Sequence, residues 1–433
     1  VTAERTFGQA AAPAAAGSHR QADRALVLHV INSLQISGGA EQQLVANLRR
    51  FGDPRLRHAV AHLYSYEREV IRNEVGEGGS SPRDAVGTRG GDLPEGLAVH
   101  TLRAAGERAG QWESIRRLHR LVAEIRPDLI HCYLAEAAVA SRIVGRIAGI
   151  PVVESLVNIS HERIRCVDNP AVSPWKLRAH TMLDRLTMRG VGHFHALSEA
   201  VAGSWHRTVG LSRDRMSVIP RGIDLEELDR TAAEGGGRAG LFAELQLPPD
   251  AFLIVNVGRH EAQKGQRYAV EAMPAILAEA PEAVLLIVGR PGNRTDDLRA
   301  RVRELGLERQ VRFTGSRRDV AAIVGVADIF LFPSLFEGLG VSLLEAMGLG
   351  KLCIASNIAP MNETVTHGRT GLLFRSMSSP AIAEAVLTAY GDGDLRRRIG
   401  EAARKEVARS YRLEETARRV EAIYLHQLGL PDP

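Results

Sequence analysis

The chain has 433 residues, too many for one ordinary hydrophobic core and suited to two domains. Hydrophobic residues make up 45% and charged residues 24%, the balance of a globular protein in water. A net charge of +4 and 5% aromatic residues argue against a nucleic-acid binder built on a basic stripe or on ring stacking, and are compatible with a small anionic ligand.

Residues 1–24 are rich in Ala, Gly and Gln. They lack the basic start and continuous apolar run of a secretory signal, so the expectation is a disordered tail. No segment reaches the roughly 20 apolar residues of a membrane span, and any membrane contact is expected to be peripheral. Cys132, Cys166 and Cys353 are far apart and odd in number. They suit neither a disulfide framework nor a metal site, which points to a cytoplasmic location.

From residue 25 short apolar runs alternate with longer segments of helical periodicity. The runs are "ALVLHVI", "HAVAHLYS", "LAVHTL", "LIHCYL", "VVESLV", "HFHALS" and "MSVIP". Continuous apolar runs suit strands covered on both faces, as in a parallel sheet. Residues 66–96 are Gly-rich and polar, and read as a long surface loop. The stretch from Trp175 to Gly190 mixes Lys176, Arg178, Arg185 and Arg189 with apolar residues at helical spacing. Such a helix can lie on anionic lipid, but the ordinary expectation is that it packs its apolar side on the sheet. A Gly- and Pro-containing stretch over 225–250 reads as a linker. A second series begins at residue 251 with "AFLIVNVG", "AVLLIVG", "VRFTG", "DIFLFPS", "KLCIAS" and "GLLF". The expected architecture is α/β, with two Rossmann-like domains over 25–224 and 251–408 and a cleft between them.

Three groups of residues stand at cleft positions. Gly38 and Gly39 follow the first strand and open a helix, which either lets backbone approach a phosphate or makes a plain strand-to-helix turn. Arg259 and Lys264 follow a strand end in "VGRHEAQKG", where they could hold a diphosphate or stand as solvated cations. Glu337 and Glu345 have seven residues between them in "FEGLGVSLLEAM". Their carboxylates can accept from sugar hydroxyls, and the loop from Gly338 through Leu339 and Gly340 to Val341 can approach phosphates; a helix-start acidic pair is the plainer reading. "GLGVSL" is not a G-x-G-x-x-G, "EAMGLGKL" is not a P-loop, and fifteen histidines show no ligand spacing.

Together these pieces resemble glycosyltransferase family 4, retaining enzymes of the GT-B fold. "VGRHEAQKG" is similar to that family's G-R-x-x-x-x-K-G, and "FEGLGVSLLEAM" to its E-G-F-G-x-x-x-x-E-A. "HGRTGLLF", "SGGAE" and "HFHALSEAVAGSW…VIPRGID" also fit, with Arg221 where the family usually has Asn. The resemblance runs from about residue 25 to the C-terminus. It implies a donor diphosphate bound by Arg259 and Lys264 and a nucleotide ribose bound by Glu345. It implies a donor sugar contacted by Glu337 with the amides of Gly338 to Val341, and phosphates approached by Gly38 and Gly39. A last helix within 409–433 is expected to cross back onto the first domain. The family carries H-x-H after its fourth strand, which makes His131, in "LIHCYL", a candidate proton relay, or else a residue that packs at the strand end; the second histidine is replaced by Tyr133, so this site is expected to orient substrate more than to remove a proton. The implied donor is a UDP- or GDP-sugar, used without metal or other cofactor. The acceptor is a glycan, a lipid-linked saccharide or a small natural product. A sugar phosphorylase, a nucleotide-sugar epimerase and a non-catalytic nucleotide-sugar-binding subunit are the alternatives.

Overall fold

A computed structural model of the chain describes residues 24–34, 39–64, 93–94, 96–103, 110–167 and 172–431. Nearly all of the N-terminal tail, most of the Gly-rich loop over 66–96, and Gly38 lie outside these residues.

The first domain is a parallel sheet of seven strands in the order β3-β2-β1-β4-β5-β6-β7. These are β1 (Ala25–Ile31), β2 (Leu56–His62), β3 (Ala98–Thr101), β4 (Leu129–Tyr133), β5 (Val152–Leu156), β6 (His193–Ala196) and β7 (Met216–Val218). Alternate residues of each strand face opposite sides. Leu28, Val30, Ile130 and Cys132 face helices α2 (Gln111–Ile125), α3 (Ala135–Ala148) and α5 (Glu199–Val209). On the other side lie α1 (Gly39–Arg50) and α15 (Leu413–Gln427), the last helix of the chain. Val420, Ile423 and Tyr424 of α15 pack on Val27, Leu129 and Val153, so the C-terminus is built into the first domain.

The second sheet has six parallel strands in the order β10-β9-β8-β11-β12-β13. They are β8 (Phe252–Val257), β9 (Ala283–Val288), β10 (Val311–Gly315), β11 (Ile329–Phe332), β12 (Cys353–Ser356) and β13 (Leu372–Phe374). One face is covered by α8 (Gln266–Glu279), α9 (Thr295–Glu304) and α13 (Ser379–Tyr390). The other carries α7 (Gly237–Glu244), α10 (Val320–Val326), α11 (Val341–Gly348) and α14 (Gly393–Ser410). The stretch 225–250 is not an irregular linker. It forms α6 (Leu225–Ala233) and α7, and Leu225, Leu228, Leu241 and Phe242 join the second domain's core. The glycines that suggested a linker only separate the two helices, with Gly236 and Gly237 at φ 72° and 73°.

Helix α4 (Pro174–Thr187) reverses the ordinary expectation for its sequence. Its polar side chains point inward: Asp184 meets Arg142 at 2.5 Å and His161 at 3.0 Å, and Thr181 meets the same histidine at 3.0 Å. Arg142 is buried and also pairs with Glu154 at 2.5 Å. Leu177 is buried beside this network, but the other large apolar side chains face outward, with Trp175, Met182 and Leu186 exposed by 68%, 57% and 62%. A buried ion-pair network therefore takes the inner face that apolar residues usually hold.

Candidate active site

Both sheets change strand order at one place, between β1 and β4 and between β8 and β11. Ligands of such sheets bind outside the carboxyl ends of the strands at that switch point. The end of β8 leads to Arg259 and then to a short turn over Ala262–Lys264. The end of β11 leads through Ser334 and Glu337 into α11.

These two strand ends bring together residues 73 apart in sequence. The Lys264 ammonium donates to Glu337 Oε1 at 2.6 Å. Gln263 donates to Glu337 Oε2 at 3.1 Å, and Ser334 to Oε1 at 2.8 Å. Glu337 is 6% exposed, so its charge is held by one cation and two neutral donors. Phe332 lies 5.5 Å beneath the ammonium. Gly265 makes the approach feasible: its φ is 60°, and a Cβ there would stand 2.0 Å from the Pro333 carbonyl oxygen.

Arg259 is freer. Its side chain is 51% exposed, and the Glu261 carboxylate is 3.7 Å away. A further arginine, Arg290, follows β9, the strand beside β8. The two strand ends touch, since a Cβ on Gly289 would stand 2.1 Å from the Gly258 carbonyl oxygen. From the first domain, Glu41 in the opening turn of α1 faces this cluster. Burial raises the Glu41 carboxyl above its usual range, while its own backbone amide, Arg290 and Arg259 act in the other direction. Arg290 and Glu41 were not singled out from sequence. The available signal was the repeat of Val-Gly-Arg, at 257–259 and again at 288–290.

Glu345 lies in α11 and lines a cavity of about 570 Å³ between the domains. Val320 and Val324 of α10, Leu349, and Arg221 share that lining. Arg221 reaches the start of α1, donating to the Gly39 carbonyl at 3.2 Å and approaching Gln42 Oε1 at 3.4 Å. Gly39 is thus placed at the cleft, in the first turn of its helix. The amides of Gly338, Leu339, Gly340 and Val341 meet no backbone carbonyl among the described residues.

His131 is not at the cleft, which corrects its candidacy as a catalytic group. It sits mid-strand in β4 and is fully buried. Its Nδ1 is shared by the hydroxyls of Tyr424 at 2.6 Å and Tyr133 at 2.9 Å, and its Nε2 meets Ser155 Oγ at 2.9 Å. The chain continues from Ser155 to His195, and from Tyr133 to His29 and His58. Burial drives the His131 imidazole far below its usual range, with His195 and His58 adding to the effect. A ring with both nitrogens occupied inside the sheet–helix layer cannot touch substrate, so its role here is to join α15 to the sheet.

The Glycosyltransferase Family 4 profile matches residues 44–227, and the Glycosyl transferases group 1 profile matches residues 238–406. The chain belongs to this family and is a glycosyltransferase. A UDP-Gal:alpha-D-GlcNAc-diphosphoundecaprenol alpha-1,3-galactosyltransferase of Escherichia coli is 26% identical over 284 residues, 65% of this chain and 70% of that one. A D-inositol 3-phosphate glycosyltransferase of Corynebacterium glutamicum is 31% identical over 220 residues, 49% of this chain and only 51% of that relative's length. Anabaena HepE in complex with UDP and glucose superposes with a TM-score of 0.72 at 20% identity, covering 92% of this chain and 99% of that one. WaaG, a glycosyltransferase involved in lipopolysaccharide biosynthesis, gives 0.68 at 17%, covering 90% and 98%. These likenesses show the fold, which is GT-B: two Rossmann-like domains facing each other across a cleft.

Proposed function

We propose that the chain is a retaining glycosyltransferase that moves a sugar from a UDP- or GDP-sugar to a hydroxyl acceptor: a glycan, a lipid-linked saccharide or a small natural product. The observation that carries this reading is the convergence of Arg259, Lys264 and Glu337 at adjoining strand ends beside the cavity that holds Glu345. As the sugar–phosphate bond breaks, negative charge develops on the leaving diphosphate. Arg259, Lys264 and the unclaimed amides at the start of α11 are positioned to absorb it without rearranging, and so no metal is called on. A carboxylate has about four acceptor sites, and Glu337 uses three, which leaves one for a hydroxyl of the donor sugar. Glu345 takes the ribose, with the base beyond it against Val320 and Val324. The acceptor attacks the face from which the diphosphate departs, and the departing oxygen takes its proton, a role His131 is not placed to fill. Purified protein incubated with a panel of nucleotide sugars is expected to release UDP or GDP, and to do so in chelator. Release of sugar 1-phosphate, an epimerised nucleotide sugar, or no binding of any nucleoside diphosphate would each overturn the reading.

The outward face of α4 supports a peripheral site on an anionic lipid surface. Trp175, Met182, Leu183 and Leu186 are exposed there, and Lys176, Arg178, Arg185 and Arg189 surround them. The helix's one acid, Asp184, is turned inward to Arg142. An apolar strip with basic flanks and no outward acid complements anionic headgroups over an acyl boundary. Sedimentation with phosphatidylglycerol vesicles at low salt is the test. Strong binding is expected, with a drop of more than tenfold in Trp175→Ser/Leu186→Ser and on phosphatidylcholine. Failure to bind, or binding indifferent to headgroup charge, removes this site.

A further inference from the structure

We propose that Ser198 of the first domain is a positioning residue for the donor loop of the second, and that it sets the loop only when the two domains are together. The inference rests on the site proposed above and deepens it. Contacts cross the cleft beside Glu337. The Ser198 hydroxyl donates to the Gly338 carbonyl at 2.7 Å, and both residues are buried. Gly338 lies against the turn that follows β5, so closely that a Cβ there would stand 1.9 Å from the Val157 carbonyl oxygen and 3.2 Å from the Asn158 Cα. Trp205 of α5 steadies that turn by donating from Nε1 to the Asn158 carbonyl at 2.9 Å. From the second domain, Glu363 accepts from the amides of Glu199 and Ala200 at 3.0 and 2.7 Å. A carboxylate there matches the positive end of α5.

The consequence follows from the planarity of the peptide bond. In a trans peptide the carbonyl of one residue and the amide of the next point in opposite directions. Holding the Gly338 carbonyl on Ser198 therefore directs the Leu339 N–H away from the first domain's helix. That amide is one of those with no backbone acceptor among the described residues. The serine oxygen cannot swing freely, because it also accepts from the Val201 amide at 3.2 Å as the cap of α5. One side chain thus joins the start of a first-domain helix to the direction of a second-domain amide. Opening the cleft breaks the bond and releases the peptide plane. Gly338 is required because only a residue without Cβ lets Val157 come this near.

Capping and positioning are separable by substitution. Threonine both caps and donates; aspartate caps but cannot donate; alanine does neither. Ser198→Thr is expected to keep turnover within about threefold of the natural protein. Ser198→Asp and Ser198→Ala are expected to lose about tenfold or more, one hydrogen bond's worth. A role as cap alone predicts instead that the aspartate variant turns over normally, and that result overturns the proposal. Hydrogen exchange over residues 336–342 gives a readout that needs no donor. Exchange is expected to quicken in the aspartate and alanine variants and not in the threonine variant; equal rates in all three overturn the proposal. If the natural protein turns over no nucleotide sugar, the function proposed above fails while the exchange comparison still decides the role of Ser198.

Discussion

Replacing Lys264 by Met separates the two tasks the structure gives this side chain. Its ammonium sits 2.6 Å from Glu337, whose side chain is only 8% exposed. Removing one partner of a buried ion pair costs about 3–5 kcal/mol, because the other charge stays buried. Lys264 itself is 21% exposed, so water can reach the vacated place, and the lower end of that range applies. Gln263 and Ser334 remain as donors to the carboxylate and limit the loss further. A loss of about 3 kcal/mol corresponds to a fall in melting temperature of roughly 6–12 °C for a domain of this size. Turnover is expected to fall by about 10²–10³, the usual consequence of losing one stabiliser of transition-state charge. The double variant Lys264→Met/Glu337→Gln removes the uncompensated charge. Its melting temperature is expected to recover most of the way while turnover stays low. Thermal melts and steady-state donor consumption, measured on the natural protein, both single variants and the double, complete the cycle. Recovery of turnover along with stability would show that Lys264 acts only as a partner for Glu337, and would refute its assignment to the diphosphate.

Arg259→Ala is expected to lower turnover by about 10²–10³ with little change in melting temperature, since the side chain is half exposed and weakly paired; near-normal turnover would remove it from the diphosphate. Glu345→Gln is expected to weaken nucleotide affinity more than it lowers turnover, measured by titration with UDP and GDP, and an unchanged affinity would count against the ribose assignment. Stability is expected to fall between pH 6.5 and about 4, because burial holds His58 and His195 down to about 4 while the unfolded chain protonates them near 6.5. In that window the unfolded state binds more protons, so each histidine contributes a slope of about 1.4 kcal/mol per pH unit, favouring the fold as pH rises. Chemical denaturation at pH 7 and pH 5 checks this, and equal stabilities would contradict it.

The strands were legible because burial on both faces leaves a continuous apolar run, a local property of each segment. Runs such as "AVLLIVG" and "LIHCYL" coincide with β9 and β4 for that reason. Helices α6 and α7 were less legible. Their apolar residues are few, and the glycines at 235–237 between them carry the same composition as a true linker. Helix α4 shows a different limit: its spacing reveals an apolar face but not which way that face points. The direction was decided by Arg142 of α3, whose buried guanidinium claims Asp184 while also pairing with Glu154 of β5. The Lys264–Glu337 pair stood in two motifs, but their contact depends on β8 and β11 being neighbours, which strand order alone determines.

His131 tests how far a motif can be carried. Strand side chains alternate, and His131 shares its parity with Leu129, which faces α15, while Ile130 and Cys132 face the opposite helices. Register then places His29 of β1 directly beside it. Parity and register thus set the imidazole on a helix-covered face, two residues short of the strand's end. What neither could supply is the covering helix: Tyr424 lies 293 residues further along and returns from beyond the second domain to take Nδ1. Once that helix is in place, burial keeps the ring neutral and its hydrogen bonds hold it still. The same polar chemistry that could relay a proton at an open strand end serves here to fasten the C-terminus to the domain it began from.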